Sequence, residues 1–167
     1  MFACAAEAWQ PLTVGRVTIL FPAAPTRINN RELAGLPPTA RGWMVRTPDG
    51  LFILLQTKLA RPIGQQDTTK RRAIYDSISR QTLRISKGRV VQSTYFATAG
   101  GIGQELSYRY FNRYFGEPKP TTFFMRNVVV DSANYFLQYL PNDIGDSLGL
   151  AGAAPRRRFF HSITVQP

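Results

Sequence analysis

One cysteine and one histidine stand in 167 residues, and that scarcity removes whole classes of chemistry. Cys4 alone cannot close an intrachain disulfide. A structural or catalytic metal needs three or four ligands at short spacing, and Cys4 and His161 lie at opposite ends of the chain. A Ser/His/Asp or Cys/His set would have to use His161, beside Ser162 in an apolar segment, where a lone histidine is expected to be structural. Carboxylate-pair chemistry through Glu32, Glu105 and Asp131 stays open, because their mutual distances cannot be read from sequence. The chain is therefore read as a non-enzyme with no cofactor and no metal site, a hydrolase of unknown type being the last alternative.

Acidic side chains are scarce as well: ten Asp and Glu face twenty-one Lys and Arg, for a net charge of +11. Such an excess favours anionic partners, namely an acidic protein, a glycan, a membrane surface or, less favoured, nucleic acid. The basic residues run from Arg16 to Arg158, so solubility alone accounts for much of the excess. No hydrophobic run approaches the roughly 18 residues of a membrane span. The first residues, Met1-Phe-Ala-Cys4-Ala-Ala-Glu-Ala8, resemble the small-residue end of an export signal, with Cys4 where a lipid-modified cysteine would sit. The charged and apolar portions that should precede such an end are missing. Residues 1–8 are read as a signal-like or flexible remnant and 9–167 as a single α+β domain, periplasmic or extracellular and anchored through Cys4, with a cytoplasmic location as the alternative.

What the chain has in plenty is aromatic residues, 12% of the total, concentrated between Gln104 and Leu140. There QELSYRYFNRYF, TTFFMRNVVVD and NYFLQYLP follow one another across short breaks, the pattern of an antiparallel meander. Leu106, Tyr108 and Tyr110 share one face of the first run and are expected to cover a helix. Arg109, Phe111 and Arg113 share the other, which is the candidate surface. Upstream, Trp9 to Val14 and Val17 to Phe21 form a hairpin about Gly15-Arg16, with Val17, Ile19 and Phe21 on one face. Trp43 to Thr47 and Leu51 to Leu59 form another about Pro48-Asp49-Gly50. The alternation of Leu51, Ile53 and Leu55 with Phe52 and Leu54 predicts a central strand covered on both sides.

Asp67 to Lys87 predicts one long helix, capped by Asp67 or Thr68, closed by Gly88, and buried along Ile74, Ile78, Thr82 and Ile85. Asp76 lies four residues from both Arg72 and Arg80 and is expected to pair with them. Arg80, Arg84 and Lys87 form a second candidate cationic surface. Val90 to Thr98 alternates weakly, and Ala99 to Gly103 is read as a flexible turn before a strand, not as a phosphate loop. Asp143 and Asp146 lack the dense spacing of a calcium loop and are expected to cap a helix start. A short helix opens at Pro155 and Ile163 to Val165 closes the chain.

Several short motifs fall in an ordered series: Trp9-x-Pro11, Val17-Thr-Ile19-Leu-Phe21-Pro22 with Pro25, Gly103-Gln-Glu105-Leu106, Tyr135-Phe-Leu137, and Phe160-x-Ser162-Ile163-x-Val165. Together they resemble the PsbP-like group of small bacterial and plastid proteins. The resemblance spans nearly the whole chain, though the C-terminal helix is short and Ile163 stands where an aromatic is usual. It implies an α-β-α sandwich: an antiparallel sheet of about six to eight strands, packed by the 67–87 helix on one side and by terminal elements on the other. With the missing catalytic sets and the signal-like start it supports a non-enzymatic exported accessory or binding domain: members outside photosynthesis are mostly exported proteins of undefined role, and the photosystem-associated members are accessory subunits of the oxygen-evolving complex. None of their functional residues has a match here, so no site is carried over.

Overall fold

The computed structural model describes residues 8–33, 35–64, 67–99, 101–112, 119–142, 146, 148 and 150–167. Cys4, Arg113, Asp143 and the break after Asn112 lie outside them, as does the side chain of Phe111. Strands β1 (Gln10–Val14) and β2 (Val17–Phe21) form the first hairpin, with Gly15 at φ 61°. A Cβ at Gly15 would come within 2.7 Å of the Tyr135 hydroxyl, so glycine serves both the turn and the close approach.

The main sheet has seven strands in the order β3-β4-β5-β9-β8-β7-β6, each antiparallel to its neighbours. They are β3 (Thr26–Arg27), β4 (Arg41–Arg46), β5 (Gly50–Lys58), β6 (Arg89–Thr98), β7 (Gly101–Asn112), β8 (Lys119–Val130) and β9 (Ala133–Pro141). The aromatic meander is thus three adjacent strands holding Tyr108, Phe124, Val128 and Leu137. The closing strand β10 (Thr164–Val165) pairs with the free edge of β2, so the N-terminal hairpin and the C-terminus make a separate sheet, β1-β2-β10. Helices α1 (Thr68–Ser86) and α2 (Ala153–His161) complete the α+β architecture.

Register assigns the two faces of the main sheet. Phe52, Leu54, Val128, Val130, Tyr135, Leu137 and Tyr139 share one face and are buried against Val17, Ile19 and Phe21 of β2 and Phe159 and Phe160 of α2. The ring of Phe52 meets those of Phe159 and Tyr139 edge-on, with centroids 5.4 and 5.0 Å apart. On the opposite face, Leu106, Tyr108, Phe123 and Met125 form a second buried cluster toward α1. Tyr108 and Tyr110 therefore do lie on the helix side, as their alternation predicts.

Four local expectations need correction. First, α1 buries Arg71, Tyr75 and Ser79, while Ile85 is 71% exposed. The Tyr75 hydroxyl donates to the Ile102 carbonyl at 2.8 Å and accepts from the Val129 N–H at 2.9 Å. Arg71 donates from Nε to the Gly64 carbonyl, from Nη2 to Ile63 and from Nη1 to Val129. These side chains satisfy backbone groups under the helix, which the isoleucines cannot do. Second, the β5 residues Leu51, Ile53 and Leu55 are only half-buried, because α1 lies over β7 and leaves that part of the sheet uncovered. Third, Lys87, at φ 53°, makes the left-handed turn that ends α1, and the Gly88 N–H bonds the Leu83 carbonyl. Gly88 is needed instead for space, since a Cβ there would lie 2.9 Å from the Tyr108 ring. Fourth, β7 begins at Gly101 rather than at Gln104; Gly103 is a strand residue crossed by the Phe96 ring.

Candidate anion-binding face

Beyond the edge of the small sheet, strands β6, β7 and β8 present the face turned away from α1. Two hollows lie on it. One, of about 350 Å³, is lined by Ala97 to Ala99, Arg126, Val128 and His161 to Val165 without Ser162. The other, of about 100 Å³, lies among Gln92, Thr94, Glu105, Ser107, Phe124 and Arg156. Between them stand Glu105 and Arg126, which the β7–β8 register places directly opposite each other. Arg126 Nη1 donates to Glu105 Oε2 at 3.0 Å, and the guanidinium lies 3.7 Å from the centroid of Phe96.

Arg126 is the unusual member. It is only 8% exposed, and its Nε has no partner among the described residues. Burial pulls its pKa down while Glu105 pulls it back up. Arg156, from the second turn of α2, lies 3.5 Å over the Phe124 ring, and burial lowers its pKa too. Both guanidiniums remain charged near neutrality; stacking on a ring removes water from one face of each and leaves the edge for hydrogen bonding. Arg89 stands directly opposite Arg109 in the β6–β7 register, on the same face. Arg109 itself is half-buried, not freely exposed as its alternation suggested.

The two predicted cationic surfaces are thereby separated. Arg80, Arg84 and Lys87 are exposed on α1, whereas Arg109 belongs to the opposite face of the sheet. Asp76 does not pair with Arg72 or Arg80; it accepts from the Tyr95 hydroxyl at 2.6 Å, while Arg72 sits 4.8 Å over the Tyr95 ring. Tyr108 is 3% exposed and Tyr110 half-buried, so neither offers a base-stacking platform.

The residues weighed for catalysis are dispersed. Ser162 Oγ donates to the Phe159 carbonyl at 2.7 Å and accepts from the Leu20 N–H at 2.9 Å, which ties β2 to the end of α2. His161 is exposed at the rim of the larger hollow, not enclosed in apolar surroundings. Glu32 accepts from the Asn29 N–H, Asp131 pairs with Arg16 at 2.9 Å, and Glu105 with Arg126. Asp146 accepts from the N–H groups of Leu150 and Ala151, bracing the loop before α2 rather than the helix start itself. No group of three metal-ligating side chains occurs among the described residues.

Sequence reasoning missed Arg126 and Arg156. A signal existed for the first: in Phe124-Met-Arg126-Asn-Val128 a cation occupies a position whose parity matches the buried Val128. Arg156 carried none, because its ring contact with Phe124 joins α2 to β8 across tertiary space.

No family model and no curated protein matches the sequence. Among solved structures, the solution structure of cyanobacterial PsbP (CyanoP) from Synechocystis sp. PCC 6803 is similar, with a TM-score of 0.64 at 10% identity over 99% of this chain and 96% of that one. The protein has a PsbP-like fold.

Proposed function

We propose that this chain is a non-enzymatic accessory domain, exported to the periplasm or cell surface, that docks an anionic partner on the open face of β6–β8. The observation that carries this reading is Arg126: a nearly buried guanidinium, with an unpartnered Nε, flanked by hollows on an otherwise accessible face. Arg156 lines the smaller hollow together with Glu105 on the same face, and an incoming carboxylate or sulfate supplies the acceptor that Arg126 Nε lacks. Export is supported by the signal-like first residues and by the likeness to an accessory-protein fold. Among the described residues no helix is long and apolar enough to cross a membrane.

The test separates this face from net charge. Elution from a sulfated-polysaccharide resin is compared for Arg126→Met/Arg156→Met and for Arg80→Gln/Arg84→Gln, which remove the same charge from opposite faces. The first pair is expected to elute at clearly lower salt than the second, both remaining folded because Glu105 is 40% exposed and keeps its water. Equal shifts would show that retention reads net charge alone and would refute the assignment. A larger shift for the Arg80/Arg84 pair would transfer docking to α1.

A further inference from the structure

On the other face of the sheet, independently of the anion-docking reading, α1 leaves a groove of about 520 Å³ open over β5 and β9. Its floor is built from two cross-strand pairs, Leu55 with Phe136 and Thr57 with Asn134. Ile78 and Ile85 of α1 form one wall, and Leu36, in the loop between β3 and β4, lies on the other. The volume is within the range that holds a drug-sized molecule. The groove exists because α1 is anchored by Tyr75 and Ser79 to Ile102, Val129 and Gln104, on strands β7 and β8. Its isoleucine stripe is thereby turned toward the gap instead of the sheet.

One polar atom in that apolar setting is unsatisfied. Asn134 is 3% exposed, and its Oδ1 is buried with no hydrogen-bond partner among the described residues. Burying an acceptor without a donor is costly, and such an atom in a groove floor selects a ligand that brings the donor. We propose that this groove binds a small apolar molecule carrying a single hydroxyl donor, its hydrocarbon body along Leu55, Ile78 and Phe136 and its O–H directed to Asn134 Oδ1.

The probes are n-octanol, which donates a hydrogen bond, and methyl hexyl ketone, which has the same carbon count and cannot. Backbone amide NMR titration of the full chain is expected to show saturable shifts at Leu55, Ile78, Asn134 and Phe136 with octanol, and binding at least about tenfold weaker with the ketone. Ile85→Asp, a change at an exposed position that leaves folding intact, is expected to abolish binding of both. Asn134→Leu is expected to retain octanol binding and bring the two affinities together. Absence of shifts at the groove up to the solubility limit, or a ketone that binds as well as the alcohol, would overturn the proposal. So would concentration-dependent dimerisation removed by Ile85→Asp, since the groove would then belong to a second copy of the chain.

Discussion

Asn127 lies fully buried on β8, and neither its Oδ1 nor its Nδ2 has a partner among the described residues. An amide held this way loses its water and gains nothing in return. Asn127→Leu is therefore expected to raise stability by about 1–2 kcal/mol, read as a higher urea midpoint at unchanged slope. Tyr139 shows the opposite arrangement. Its hydroxyl donates to the Asp49 carbonyl at 2.7 Å, and burial pushes its pKa up to about 12, as burial also does for Tyr108. The fold favours the neutral phenol, so the contribution of these groups is complete below the ordinary phenol value near pH 10 and is lost as pH rises through about 12. Phenolate absorbance should show late-titrating tyrosines that become ordinary in denaturant. Neither residue's environment is visible in sequence: the alternation marks Tyr139 as inward-facing, but only tertiary contact supplies Asp49.

At the scale of elements, α1 is held by polar anchors. Arg71 is fully buried and bonds three carbonyls, two in the segment that leads into the helix and one on β8. Charge-assisted bonds of this kind contribute about 1.5–3 kcal/mol each, net of the exchange with water. Arg71→Leu is expected to destabilise the protein by about 2–4 kcal/mol, because it leaves those carbonyls unpaired, and to speed hydrogen exchange at Ile63 and Gly64 before the β7–β9 core. The N-cap responds to acid. Hydrogen bonds from Lys70, side chain first and then backbone, hold the Asp67 carboxyl below its usual value. Its contribution is present above the ordinary carboxylate pKa and lost as pH falls through the lowered one. Thermal melts of the parent and Asp67→Asn should therefore differ near neutrality and converge in acid. The cap was legible, since Asp67 precedes a helical pattern. The buried stripe was not: Ile74, Ile78, Thr82 and Ile85 have the right spacing, yet backbone groups of the sheet demanded donors and acceptors, and Arg71, Tyr75 and Ser79 supply them.

At the scale of the whole molecule, the two faces of the main sheet perform different tasks. One is closed by the β1-β2-β10 sheet and α2 and opens into the arginine face at its β6 edge; the other is half closed by α1 and opens into the Asn134 groove. The two sites lie on opposite faces of the sheet and share no lining residue, so the Arg126→Met/Arg156→Met variant should lose salt-sensitive retention yet keep n-octanol binding. Strand positions, the meander, both hairpins and the helix followed from alternation and turn chemistry, because those patterns act between residues close along the chain. The likeness of short motifs to the PsbP-like group pointed to the same fold. Tertiary structure alone decided which face of α1 is buried, that the N-terminal hairpin joins the last strand in a separate sheet, and that Arg126 and Arg156 both come to the face that carries Glu105. Those outcomes depend on satisfying buried polar groups and on contacts between segments far apart in sequence, and local periodicity carries no information about either.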